Sequence, residues 1–352
     1  MLTRDAAAVA MIRASLDKFN WNEVCERVGF TDELRQPWTF RIGDAGLTAT
    51  QETLGRLLIE GGRVPVVVVE AALATAFVDA LTRTGLGAIA QGDIVLPEFS
   101  LLALRDKYLA VSRRTVSADV LKPIIYAGPD SLMMADRASR YAGGTAVDLC
   151  TGAGLLALKI AERFDHVDAC EIAPSAADAA QFNVALNGLS EKIFVTAANA
   201  LKFEPSGPVD FIIANPPFMP RLTDDPLLSF AAGGLNGYEF ALQLMQRALS
   251  WLRPGGRALV LTGTLGGLAK AEFLRLFAEL ADAHALDISA VNVDVRPTVE
   301  LPLIAGLPQD LAEDYRAVRP DDAGAAMFEA YLLIMRKTAT PQLRLLDRWR
   351  PA

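Results

Sequence analysis

Histidine and cysteine are scarce in this chain, with two of the former and three of the latter among 352 residues. Cys25, Cys150 and Cys170 are too scattered for a structural zinc site or a disulfide framework. No uncharged apolar run reaches the ~18 residues that cross a bilayer. Charges also interrupt the opening stretch MLTRDAAAVAMIRASLDKF, so it lacks the apolar segment of a signal peptide. Basic excess is missing too: 34 Lys+Arg face 42 Asp+Glu, a net charge of −8. Such a chain has no global attraction for nucleic acid or anionic lipid, which leaves only a local basic patch as a route to either. The expectation is a cytoplasmic protein with no membrane partner and no metal.

Apolar residues are abundant instead. Hydrophobic residues make up 52% and charged residues 22%, enough for a large core, and the length suits about two domains of roughly 150 residues. The acidity is uneven. Residues 1–125 hold 14 Lys+Arg and 15 Asp+Glu, whereas the remainder holds 20 and 27. The texture changes in the same region. Three- and four-residue apolar spacing predicts helices over 6–19, 50–60 and 69–84. Short apolar runs follow at 88–90, 94–104 and 108–111, with Gln91-Gly92-Asp93 as a hairpin turn. Residues 1–120 therefore read as a small helical, winged-helix-like domain. It is nearly neutral and has no Lys/Arg-rich recognition helix, so it suits packing or covering a substrate better than reading DNA.

From 121 to 340 strands and helices alternate. Strands are predicted at 145–149, 167–172, 193–197, 209–214, 257–262, 290–295 and 329–335. Helices are predicted at 132–141, 155–163, 175–187, 238–251 and 270–283. Continuous Val/Ile/Leu/Ala strands of this kind predict an α/β fold, a Rossmann-like doubly wound, seven-stranded, mostly parallel sheet covered on both faces. Its ligand belongs beyond the carboxyl ends of the strands, where strand order reverses. Residues 341–352, with Arg344, Arg348, Trp349 and Arg350, read as a solvated tail.

Three motifs fall at strand ends. Val147-Asp148-Leu149-Cys150-Thr151-Gly152-Ala153-Gly154 closes the first strand. Its glycines remove side chains where a ligand must approach the backbone, and they lead into a helix N-terminus suited to an anionic group. Gly152, Gly154 and Ala157 also satisfy G-x-G-x-x-A, so this loop alone does not separate a dinucleotide from an adenosyl amino acid. Glu171 ends the next strand, where a carboxylate can accept from two ribose hydroxyls or simply be solvated.

The third motif, Asn215-Pro216-Pro217-Phe218, follows the strand 209–214. Paired prolines donate nothing to a sheet and stiffen the chain as it leaves. The segment offers the Asn215 side-chain carbonyl and the Pro216 backbone carbonyl, with the Phe218 ring alongside. Acceptors grip an N–H₂ group, and a flat ring stacks on a planar one. The motif suits an amide or amino nitrogen.

Together these residues resemble a class I S-adenosylmethionine-dependent methyltransferase of the "methyltransferase small" group, over about residues 121–337. That group includes glutamine N5-methyltransferases and adenine N6- and guanine N2-methyltransferases. The resemblance implies S-adenosyl-L-methionine as cofactor and direct methyl transfer to a planar amide or amino nitrogen. It assigns Asp148, Thr151, Gly152 and Gly154 to the methionine part, and Glu171 and Ile172 to the ribose and its surroundings. Asn199 and Ala200 fall near the adenine, where many relatives carry Asp in place of Asn199. Asn215 and Pro216 orient the target nitrogen, with Pro217 and Phe218 beside it. Asp130, in Ala127-Gly128-Pro129-Asp130-Ser131, borders the cofactor, or else Asp130 or Ser131 caps the following helix.

Phe230 and Tyr238 flank the glycine-rich stretch 233–237, read as a mobile or sharply turned loop beside the target pocket. Either ring suits the pocket wall or the core. His166 and His284 read as surface residues, and no catalytic base is required before transfer. The acceptor stays open between a protein glutamine, a nucleic-acid base and a small metabolite, with net charge disfavouring nucleic acid. A non-nitrogen nucleophile, or use of the cofactor without methylation, remains within the fold's range. The glycine loop alone also permits an NAD-dependent oxidoreductase, but that leaves Asn215-Pro216-Pro217-Phe218 without a role.

Overall fold

Helices open the chain: α1 (Ala6–Lys18), α2 (Trp21–Val28) and α3 (Ala49–Leu58). Then come β1 (Val64–Pro65), α4 (Val66–Leu73), α5 (Thr75–Arg83), β2 (Ala88–Ala90) and β3 (Asp93–Val95). In this computed structural model, residues 2–28, 42, 45–112, 125, 127–220, 232–301 and 327–346 are described. From α3 onward the order is helix, strand, two helices and a hairpin, with strand order β1-β3-β2. Gln91 and Gly92 both have positive φ (56° and 83°), the backbone of a primed hairpin turn. The helix predicted over 69–84 is instead two, broken at Ala74 with φ 82°. Alanine is the best helix former, so neither propensity nor spacing marks that break.

A second hairpin, β4 (Phe99–Leu104) and β5 (Lys107–Ser112), follows. The expected boundary at 120/121 lies outside the described residues. Beyond it come α6 (Pro129–Ala138), β6 (Gly143–Leu149), α7 (Leu155–Ile160), β7 (Phe164–Glu171), α8 (Pro174–Leu186), β8 (Ile193–Ala197) and β9 (Val209–Ala214). Next are β10 (Met219–Pro220), β11 (Ala232–Gly234), α9 (Glu239–Ala248), β12 (Leu252–Leu265), α10 (Leu268–His284), β13 (Leu286–Pro297), β14 (Met327–Lys337) and β15 (Gln342–Leu346).

The main sheet runs β15-β13-β14-β12-β9-β6-β7-β8, and only β14 runs against its neighbours. Among the described residues it has eight strands where seven were expected. Gln342–Leu346, read as solvated tail, pairs in parallel with β13, and Arg344 faces Asp287 at 2.6 Å. Arg348, Trp349 and Arg350 lie outside the described residues.

Strand alternation builds the core on both faces of the sheet. On β9, Phe211 and Ile213 join one buried cluster, while Ile212 and Ala214 join the other. The first cluster continues without a break into the N-terminal unit, through Leu101, Leu109, Trp21 and Phe77. The second is filled by α9 and α10, with Phe273, Phe277 and Met245 buried. Each large apolar side chain so buried contributes about 1.5–3 kcal/mol.

The chain runs β6, β7, β8 in one direction and then returns to β9 on the other side of β6. Strand order reverses at β6, which places the crevice beyond the carboxyl ends of β6 and β9.

Candidate active site

Two of the three motifs meet at that reversal. Beyond β6, Cys150, Gly152 and Gly154 all have positive φ (60°, 55° and 84°), so the chain doubles back tightly before α7. Gly154 packs on α8, where an added Cβ would stand 3.4 Å from the Ala180 Cβ. The helix after the bend has six residues instead of the nine expected. It adds little dipole, and any hold on an anion must come from the bend itself.

The Asp148 side chain is fully buried beneath the bend. Its Oδ2 accepts from the Thr151 hydroxyl and, at 2.9 Å, from the Ala157 N–H. Burial pushes its carboxyl up to about 7, against the opposing effect of those two hydrogen bonds. Asp148 and Thr151 therefore brace the bend from below, and neither opens broadly onto the crevice. Glu171, half-buried at the end of β7, joins the bend from the side. Its Oε2 accepts from the Gly152 N–H at 2.9 Å, and its Oε1 accepts from the Ala173 N–H at 3.0 Å. Beside it Ile172 is 65% exposed, an apolar surface left open at the strand end.

Asn215 leaves β9 opposite this bend. Its Nδ2 donates to Asp130 Oδ2 at 2.8 Å and to Ser131 Oγ at 3.1 Å. A carboxylate only accepts, so the amide nitrogen must face Asp130 and the carbonyl must face away. Asn215 Oδ1 and Asp130 Oδ1 are both buried with no hydrogen-bond partner. This corrects the capping reading. The cap of α6 is Gly128 with Pro129 as the first helical residue, and no side chain caps it. Asp130 and Ser131 orient Asn215 instead, and the role of Ser131 was missed because the contact spans 84 positions.

Three glycines clasp Pro217 and Phe218. An added Cβ on Gly233 would stand 2.6 Å from the Phe218 Cα and 2.8 Å from the Pro217 carbonyl oxygen. On Gly237 it would stand 2.6 Å from the Phe218 carbonyl oxygen, and on Gly263 it would stand 3.0 Å from the same atom. Glu239, first residue of α9, accepts from the Asn236 N–H at 2.9 Å, the Gly237 N–H at 3.0 Å and the Asn236 Nδ2 at 2.8 Å. Residues 233–237 are thus sharply turned, with positive φ at Gly234 and Gly237 and the Asn236 and Gly237 N–H groups held by Glu239. The Phe218 ring lies near parallel to Phe328, with centroids 6.3 Å apart.

Other expected residues sit differently. Asn199 Oδ1 accepts from the Leu201 N–H at 2.9 Å, in a turn of its own after β8, and the Ala200 side chain is buried against the core. Tyr238 is core: it is buried, tilted against Phe273, and donates its hydroxyl to Glu272 at 3.1 Å. Phe230 lies outside the described residues. His166 is on β7 itself, between Asp168 Oδ1 at 2.9 Å and Ser206 Oγ at 3.2 Å, towards the strand end remote from the crevice. Among the described residues no group of three or more His, Cys, Asp or Glu could hold a metal, and no helix is long and apolar enough to cross a membrane.

A bend with glycine at 152 and 154, a carboxylate beside an exposed apolar residue and the unpartnered buried Oδ1 of Asp130 fit an adenosyl amino acid. Such a ligand brings an ammonium and ribose hydroxyls as donors, together with a flat base. The arrangement is that of a Rossmann-like α/β sheet with a ligand crevice at its order reversal. Residues 129–280 match the family described as methyltransferase small domain. It is 30% identical over 161 residues to a release factor glutamine methyltransferase of Gloeobacter violaceus, covering 41% of this chain and 55% of the relative. A ribosomal protein uL3 glutamine methyltransferase of Bradyrhizobium diazoefficiens is 31% identical over 166 residues, 42% and 51% of the two chains. A release factor glutamine methyltransferase of Mycolicibacterium smegmatis is 35% identical over 126 residues, 32% and 44%. The match spans about half the length of these relatives.

Proposed function

We propose that this chain is an S-adenosylmethionine-dependent N-methyltransferase whose acceptor is the carboxamide nitrogen of a glutamine in a polypeptide. The observation that carries this reading is the Asn215 amide, fixed through its nitrogen by Asp130 and Ser131 so that its carbonyl is a buried acceptor without a donor. The relatives' names supply the amide as acceptor chemistry.

When bound, S-adenosylmethionine supplies a methyl group already activated by its sulfonium. Gly152, Gly154 and Asp130 hold the amino-acid part, Glu171 the ribose, and Ile172 the face of the base. An amide lone pair is delocalised, so the acceptor nitrogen is a poor nucleophile. Asn215 Oδ1 and the Pro216 carbonyl accept its two N–H bonds, favour the pyramidal geometry and draw charge from those bonds. Alignment of this sort accounts for about 7–11 kcal/mol of barrier in well-oriented cases. The backbone carrying both acceptors is clasped at Phe218 by Gly233, Gly237 and Gly263, so little reorganisation is needed.

Polypeptide is favoured over nucleic acid by the charge of −8 and by the pairing of Lys270, beyond the carboxyl end of β12, with Glu329 at 2.8 Å, which competes with phosphate contacts. The test is transfer of radiolabel from the donor to separated polypeptide, RNA and small-molecule fractions of a lysate. Label on glutamine in polypeptide is the expected result, and label confined to RNA or to small molecules refutes the assignment.

A further inference from the structure

We propose that Asn183 is a positioning residue that couples docking of the β4–β5 hairpin to the conformation of the glycine bend. Asn183 lies in the middle of α8 with no exposed surface, and all three of its side-chain hydrogen bonds leave the helix. Its Oδ1 accepts from the Ala110 N–H at 2.7 Å. One Nδ2 hydrogen goes to the Ala110 carbonyl at 3.1 Å, and the other goes to the Ala153 carbonyl at 2.8 Å. One carboxamide thus pairs with the backbone of the N-terminal hairpin and with the middle residue of Gly152-Ala153-Gly154.

One helical turn on, Asn187 repeats half of this pattern. Its Oδ1 accepts from the Tyr108 N–H at 3.0 Å, and its Nδ2 donates to the Tyr108 carbonyl at 2.7 Å. Residues 108 and 110 show the same edge of β5, so two asparagines four apart serve as a strand partner for an edge that would otherwise be unpaired. Asn187 does not reach the glycine bend. Only Asn183 does.

A carboxamide is planar, and the Asn183 plane is fixed by Ala110 from one side and Ala153 from the other. The bend cannot change its carbonyl direction at Ala153 without straining the Ala110 pair. Binding at the bend and docking of the hairpin therefore share one two-sided contact, and their coupling must be reciprocal. The inference rests on the proposed reading only in taking the glycine bend as the seat of the cofactor.

Amide exchange on the intact, unaltered chain, with and without saturating S-adenosylhomocysteine, tests this. The prediction is that exchange at Tyr108 and Ala110 slows by about five-fold or more when the probe binds, in line with ordinary coupling strengths. The reciprocal arm is Asn187→Ala, which loosens the hairpin away from the bend and should weaken S-adenosylhomocysteine binding by about three- to ten-fold. A packing role alone slows Ala110 no more than the core amides of β12, which gain only the global stability of ligand binding, and leaves affinity unchanged in Asn187→Ala. Tight binding with unchanged exchange at Ala110 overturns the coupling and spares the proposed function, whereas no binding by the unaltered chain overturns both.

Discussion

Asp130 and Asn215 stand 85 positions apart in the chain and 2.8 Å apart in the fold. The contact joins the start of α6 to the end of β9, and it decides which way round the Asn215 amide is held. Because a carboxylate has no proton to give, only one amide orientation is compatible with it. Asp130→Asn removes that constraint, since an amide can meet Asn215 either way. The expected result is a fall in turnover of about ten-fold, near 1.4 kcal/mol, with the fold intact. Steady-state rates at saturating donor check it, and an unchanged kcat would show that Asn215 is oriented by something else.

The glycine clasp makes a prediction about stability. A Cβ on Gly233 would lie 2.0 Å from the Gly237 carbonyl oxygen and 2.6 Å from the Phe218 Cα, and both of these are backbone atoms. Neither can swing aside as a side chain would. Gly233→Ala should cost roughly 1–3 kcal/mol of stability and displace Phe218, lowering activity further than stability. Urea melts with parallel rate measurements test this, and a variant as stable and active as the parent would mean that the clasp is loose.

Asp148 predicts a pH dependence. Its folded carboxyl is raised to about 7 by burial, above the ~3.9 of an unfolded chain. The folded state therefore holds the proton more firmly. That contribution is complete below about pH 4, is withdrawn as pH climbs to about 7, and is flat above. In Asp148→Asn the withdrawal disappears, so the variant should gain on the parent between pH 4.5 and pH 8, by roughly 4 kcal/mol at most. Denaturant midpoints at the two pH values measure the gain. Parallel profiles would mean that Asp148 stays ionised throughout.

The bend, the carboxylate and the proline hinge were all legible because each is a local motif at the end of an apolar strand. Strand order then brought the first and third together, as expected of a sheet whose order reverses at β6. What escaped the sequence depends on distant contacts. Asp130 reads equally well as a cap, because only the fold shows it facing Asn215. Asn183 and Asn187 read as helix residues, although their four-residue spacing was an available sign of a shared face. The segment 342–346 is polar on one side and short, and its strand state comes from the open edge of β13. The break at Ala74 had no local signal at all.

Glu171 has two tasks, and they separate by variant. Its oxygens hold the Gly152 and Ala173 N–H groups and, in the proposed reading, the ribose hydroxyls. Glu171→Ala should weaken S-adenosylhomocysteine by about 1–3 kcal/mol, the cost of leaving buried partners unsatisfied. Calorimetry reads this directly, and unchanged affinity removes Glu171 from the site.

The most direct measurement is a paired one on Asn215→Ala: S-adenosylhomocysteine affinity by calorimetry and single-turnover methyl transfer with donor in excess. Loss of a preorganised acceptor aimed at the reacting nitrogen should lower turnover by about 10²–10³-fold while affinity stays within roughly three-fold. Turnover close to that of the parent, or a loss accounted for wholly by weaker ligand binding, would contradict the role given to the Asn215 carbonyl.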